Sequence, residues 1–231
     1  TAVDRAESEP ELAYAVNRDG VANLAAACRE SDIPLIHIST DYVFDGQQST
    51  PYAEEDPVNP MGVYGASKLA GERVLETELE QHIVIRTAWV YGAHGHNFVK
   101  TMLRLGREKE SLSVVADQYG CPTSAPDIAE TVLNISQQVY DKGNRVWGMY
   151  HYVAEGITTW HEFAAAVFDE GRRYENLCVR DIRPISTSEY PTPARRPSNS
   201  ALDCTKIKQV FNIDCKPWRQ SLRGVIKEMY T

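Results

Sequence analysis

Pro34-Leu35-Ile36-His37-Ile38-Ser39-Thr40 is a short apolar run closing on two small hydroxylic residues, the pattern of a strand buried in a parallel sheet. Upstream, Ser8-Glu9-Pro10-Glu11 has capping-box spacing with a proline in the first turn. Leu12, Val16, Leu24 and Cys28 follow at roughly helical intervals, which predicts a helix to about Glu30. Downstream, residues 45–61 are rich in Gly, Pro, Gln, Ser and Asn and predict a long surface loop, with a helix from near Tyr64. A second apolar run, Gln81 to Tyr91, predicts another strand. Strand, helix and strand in turn imply a parallel α/β sheet with right-handed crossovers. Functional groups in such sheets gather at strand C-termini, where Ser39 and Thr40 stand.

The alternation continues with helix over 98–109, strand over 112–116, helix over 127–139 and strand over 147–153. Thr159-Trp160-His161-Glu162 is a capping box opening a helix through Phe168, and 177–182 reads as a further strand. Residues 191–200 hold too many prolines for regular structure and predict an extended loop. After Pro217 a last helix places Trp218, Leu222, Val225, Ile226 and Met229 on one stripe, which reads as core packing. Internal repeats and low-complexity tracts are absent.

With 231 residues, 42% of them hydrophobic, the chain can bury a substantial core in one large domain or two small ones. No run approaches the ~18 apolar residues of a membrane span, and the acidic start lacks the features of a secretory signal, so the expectation is a cytoplasmic protein with no membrane partner. A net charge of −8 argues against nucleic acid, which needs a basic face, and favours a small-molecule partner. The five cysteines are scattered without a C-x-x-C pair, which fits reduced thiols. His94 and His96 have no third ligand close in sequence and read as a polar loop, so no metal is expected there.

Tyr64-Gly65-Ala66-Ser67-Lys68 places a phenol and an ammonium on one helical face about a turn apart. An ammonium near a phenol favours the phenolate, so such a tyrosine can pass a proton to a carbonyl oxygen as hydride arrives. A hydroxyl at the strand end, Thr40, could share that oxygen in the manner of an oxyanion hole. Spacing alone leaves open a solvated helix pair for Tyr64 and Lys68, and a backbone-capping hydroxyl for Thr40.

Ser39-Thr40-Asp41-Tyr42-Val43-Phe44-Asp45-Gly46 followed by Tyr64-Gly65-Ala66-Ser67-Lys68-Leu69-Ala70-Gly71-Glu72 resembles the extended short-chain dehydrogenases and, within them, the dTDP-4-dehydrorhamnose reductases. Thr1 to Asp4, Arg86 to Gly92, Asn97 to Leu105, Asp117 to Thr123 and Arg196 to Ser200 agree in order and spacing, so the resemblance spans nearly the whole chain. It implies a Rossmann-type parallel sheet, incomplete here, with a smaller α/β substrate-binding domain. Residues 1–91 would form the C-terminal half of the dinucleotide-binding domain. Residues 92–231 would mainly bind substrate, with a strand near 146–154 returning to the sheet. The implied reaction is hydride transfer from NADPH or NADH to C4 of dTDP-4-dehydro-L-rhamnose. Thr40, Tyr64 and Lys68 would be catalytic; Ser39, Tyr64, Lys68 and Thr1 would meet the cofactor; and Asp41, Tyr42, Trp89, Asn97, Gln118, Arg196 and Asn199 would meet the nucleotide sugar. A homodimer is the implied assembly. Some relatives dimerise around a divalent metal, but Pro126 occupies the stretch where an acidic ligand would be expected, which again implies none.

The family opens with a strand, a glycine-rich turn and a helix that take the cofactor pyrophosphate. Nothing in this sequence matches them, so about 60 residues, two βαβ units of ~30 each, are expected to be missing from a truncated form that binds cofactor poorly. Two alternatives remain open. A sugar-nucleotide dehydratase or epimerase is one, although dehydratases carry Asp-Glu after the catalytic threonine where Asp41-Tyr42 stands. A non-catalytic homologue such as a methionine adenosyltransferase regulatory subunit, which shares Asp-Tyr-Val-Phe-Asp-Gly, is the other.

Overall fold

The computed structural model describes residues 2–143 and 146–231. The expected first helix is segmented into α1 (Val3–Ser8), α2 (Pro10–Tyr14), a π-helical turn at 15–19 and α3 (Gly20–Glu30). Its capping box does not form. Ser8 already ends α1, so its hydroxyl donates back to the Arg5 carbonyl, and Glu9 caps α2 without a side-chain bond.

Strand β1 (Leu35–Thr40) leads through a 3-10 turn (Asp41–Val43) and the predicted long loop to α4 (Val63–Glu78) and β2 (His82–Thr87). The single strand expected over 81–91 breaks at Trp89, whose φ of 50° no extended ladder accommodates. Beyond it β3 (Val90–Tyr91) is a separate strand. Then come α5 (Phe98–Glu108), β4 (Ser111–Val115), β5 (Tyr119–Gly120), β6 (Thr123–Ser124), α6 (Ala125–Lys142), β7 (Gly148–His151), β8 (Thr158–Thr159), α7 (Trp160–Gly171), β9 (Asp181–Ile185), α8 (Thr205–Phe211) and α9 (Trp218–Met229). Strand β9 starts later than the expected 177–182. The backbone N–H groups of Val179 and Arg180 bond the carbonyls of Gly106 and Glu110 at the end of α5, so ladder pairing begins only at Asp181.

The main sheet is parallel in the order β1-β2-β7, between two helical layers. All of β2 is buried, and its alternation sorts the core. Ile83 and Ile85 pack with Ile128, Ile135, Ile207 and Phe211 from α6 and α8; Val84 packs with Val21, Ala25 and Leu75 from α3 and α4. A second core unites α5, α7 and α9 with β4 and β9, which pair in parallel, around Phe163, Phe168, Trp218 and Ile226. Smaller ladders tie the parts together: β3 runs parallel to β6, and β5 antiparallel to β8. Helix α4 is fixed to the sheet by a buried two-point ion pair, Arg86 of β2 to Glu72 at 2.7 and 3.0 Å.

Candidate active site

The parallel register of β1 and β2 sets Thr40 beside Thr87 and Ser39 beside Arg86, so both strands end at one level. There Thr40 caps the 3-10 turn: its Oγ1 accepts from the Tyr42 N–H at 3.3 Å and donates to Asp41 Oδ1 at 3.0 Å. The start of α4 presses against this turn. A Cβ on Gly65 would stand 2.1 Å from the Tyr42 carbonyl oxygen, so only glycine lets the helix approach. The approach brings the Tyr64 ring edge-on to Tyr42, with centroids 5.6 Å apart. One turn along, the Lys68 Nζ donates to the Ile38 carbonyl at 2.8 Å and lies 3.1 Å from His37 Nε2. Thr40, Tyr64 and Lys68 are thus all attached to the C-terminal end of β1 or to the turn that follows it.

Burial dominates the electrostatics. It pushes the Tyr64 phenol up to about 12, helped by the Asp41 charge and partly opposed by the nearby Thr40 hydroxyl. Tyr42 is likewise pushed up to about 12, by burial and then by Asp41, with Arg196 pulling it down. Asp41 itself is raised to about 6 by burial, partly offset by the Ser200 and Thr40 hydroxyls, and its Oδ2 has no partner within hydrogen-bond distance. Lys68 is lowered by burial against the pull of Glu72. The sequence led to a phenol lowered by Lys68. In the structure the ammonium is engaged by β1 and the phenol is raised, a state that keeps its proton available for donation.

The remaining candidates divide. Arg196 reaches Asp4 at 2.7 Å and the Tyr42 hydroxyl at 3.3 Å, on the wall of a cavity of about 550 Å³ that Arg195, Asp45, Asp117 and Tyr190 also line. Among the described residues Arg195 has no carboxylate partner. Gln118 is buried and donates to Thr187 Oγ1, while the neighbouring Asp117 carboxylate takes the Thr187 N–H and hydroxyl, latching the 187–189 turn to the cavity rim. Asn199 spends its whole side chain on loop carbonyls of Gln48 and Thr50 and on the Ala201 N–H. Asn97 caps α5 and donates to the Gly92 carbonyl. Trp89 stacks on Trp160 with centroids 3.6 Å apart and planes 9° apart, and a Cβ on Gly120 would stand over its indole, 2.4 Å from Cε2, so both ring faces are covered and the flat wall expected for a sugar is not available. Ser39 keeps a buried hydroxyl with no partner. Thr1 lies outside the described residues. Sequence reasoning passed over His37, Thr187 and Trp160; an Asn directly before a predicted helix was a readable N-cap signal for Asn97.

The whole chain, residues 1–231, matches the family described as RmlD substrate binding domain. The dTDP-4-dehydrorhamnose reductase of Salmonella typhimurium strain LT2 is 44% identical over 232 positions, which cover 100% of this chain and 77% of that protein. The solved dTDP-4-dehydrorhamnose reductase of Clostridium acetobutylicum superposes with a TM-score of 0.92 at 39% identity, over 100% of this chain and 78% of that one. That of Bacillus anthracis, solved in complex with NADP, gives a TM-score of 0.90 at 36% identity over 99% and 77%. The chain belongs to the RmlD substrate binding domain family.

Proposed function

We propose that the protein reduces the C4 ketone of dTDP-4-dehydro-L-rhamnose to dTDP-L-rhamnose. The carrying observation is that the Thr40 hydroxyl at the end of β1, Tyr64 packed on the turn that follows it, and the Lys68 ammonium anchored on the Ile38 carbonyl all gather at the C-terminal end of one strand. The reductases to which the chain is similar carry that activity in their names. When bound, NADPH or NADH supplies the hydride. Two features of this chain fit such a group: the unpartnered buried hydroxyl of Ser39, and the one Lys68 proton not taken by β1. Tyr64 holds the proton that the developing C4 alkoxide needs, and Thr40 stands to share the oxygen once its hydroxyl turns from Asp41. Arg195 and Arg196 suit the diphosphate, because a guanidinium fork matches phosphate oxygens. Asp41 and Tyr42 are left for the sugar, with Trp89 offering at most its edge. Residues 1–91 with β7 would serve the cofactor, and most of 92–231 the sugar nucleotide. A cytoplasmic setting fits five unpaired cysteines, and no described helix is long and apolar enough to cross a membrane.

The test is oxidation of NADPH by the protein with dTDP-4-dehydro-L-rhamnose. Tyr64→Phe is expected to lower kcat by about 10²–10⁴-fold with KM for the sugar nucleotide little changed. Lys68→Ala is expected to raise the cofactor KM. Wild-type turnover by Tyr64→Phe would refute the proposal.

A further inference from the structure

The Lys68 ammonium has three protons and no lone pair, so each neighbour within hydrogen-bond distance must accept. One neighbour is the Ile38 carbonyl at 2.8 Å; the other is His37 Nε2 at 3.1 Å. A ring that accepts at Nε2 carries its proton on Nδ1. His37 is suited to this, since burial and then the Lys68 charge push it down to about 4 and leave it neutral near pH 7.

The charged groups around the pair explain why a neutral acceptor matters. Glu72 lies one turn beyond Lys68 on α4 and is attracted to it, but both carboxylate oxygens are held by Arg86 of β2. Asp41, in the turn after β1, bonds Thr40. Tyr64, on α4, packs edge-on against Tyr42. A carboxylate in place of His37 would hold the amine but cancel its charge; an imidazole holds it and leaves the charge in place.

We infer that His37 is a positioning residue, which with the Ile38 carbonyl fixes two of the three Lys68 protons and aims the third at the cofactor ribose. This rests on the reductase reading for its consequence but not for its geometry. The contact is read first without turnover, by following the His37 ring by NMR through a pH titration of the protein and of Lys68→Met. Removal of the cation is expected to move the His37 titration to higher pH. Kinetics then compare His37→Leu with His37→Gln, whose amide oxygen reaches about as far as Nε2. His37→Leu is expected to lower kcat about tenfold and raise the cofactor KM with the sugar KM unchanged, and His37→Gln to stay within about threefold of wild type. An unmoved His37 titration in Lys68→Met would overturn the inference even with turnover intact, as would equal losses in the Leu and Gln variants. Wild-type turnover by Tyr64→Phe would instead sink the reductase reading, and the NMR result would stand apart from it.

Discussion

Asp41 is a carboxyl placed by its neighbours in a setting that favours its neutral form. Its pKa of about 6 lies above the ~3.9 of an unfolded aspartate. As pH rises through that interval the unfolded chain gives up the proton first, so this residue lowers stability progressively from about pH 4 to about pH 6. A difference of this size corresponds to about 3 kcal/mol. Asp41→Asn removes the titration, so its stability relative to wild type is expected to rise by up to that amount between pH 4 and pH 6.5, measured by urea unfolding at each pH. A constant difference across the interval would show that Asp41 is not held neutral. Thr40, Tyr64 and Lys68 were legible at this scale because their chemistry is written into residue type and spacing. The direction of the Tyr64 shift was not, because it depends on burial under Tyr42 and on Asp41, which only the folded chain supplies. Asn199 and Gln118 were read as ligands from resemblance, and their bonds to loop backbone and Thr187 depend on partners far along the chain.

At the scale of elements, the apolar strand cores and the helices with a clear stripe were readable, and the places where two elements touch were not. The break at Trp89 comes from its stack with Trp160, some 70 residues on, and the late start of β9 from bonds to the end of α5. Helix α8 is short, with only Ile207 and Phe211 fully buried, too little periodicity to read from sequence. The contact of α4 with the 3-10 turn is the one on which the site depends. In Gly65→Ala the added methyl would lie 2.1 Å from the Tyr42 carbonyl oxygen, a backbone atom that cannot swing away. Alanine gains about 1 kcal/mol of helix propensity over glycine, which offsets part of the strain. Helix α4 must then retreat by roughly an ångström and carry Tyr64 from Thr40, a displacement of the kind that costs about 10²-fold in rate. The expected outcome is a loss in kcat far larger than the change in thermal midpoint. Wild-type kinetics in a folded Gly65→Ala protein would show that the close approach is not needed.

At the scale of the whole molecule, two histidines sit inside the main sheet's surroundings as neutral bases. His37 is held down at about 4 by burial and then Lys68; His151, on β7, at about 3 by burial and then Arg86. Both lie below the ~6.5 of an unfolded histidine, so the native state resists protons that the unfolded chain accepts, and stability is lost as pH falls from about 6.5 toward 4. Two effects oppose this. Asp41 contributes in the other direction over much of the same interval, and the net charge of −8 shrinks toward the isoelectric point near 5.3, which relieves repulsion. The surface charges are screened over ~8–10 Å at ordinary ionic strength, and one carboxyl opposes two imidazoles with larger displacements, so the histidines prevail. The urea midpoint is therefore expected to drop on going from pH 7.5 to pH 4.5, with about one net proton taken up on unfolding near pH 5, about two by the histidines less about one released by Asp41. His151→Leu should remove most of the slope, because the leucine keeps the packing against Phe44 and removes the titrating nitrogen, which leaves His37 balanced by Asp41. A midpoint that holds or rises on acidification would mean that these rings find a charged partner in the folded protein.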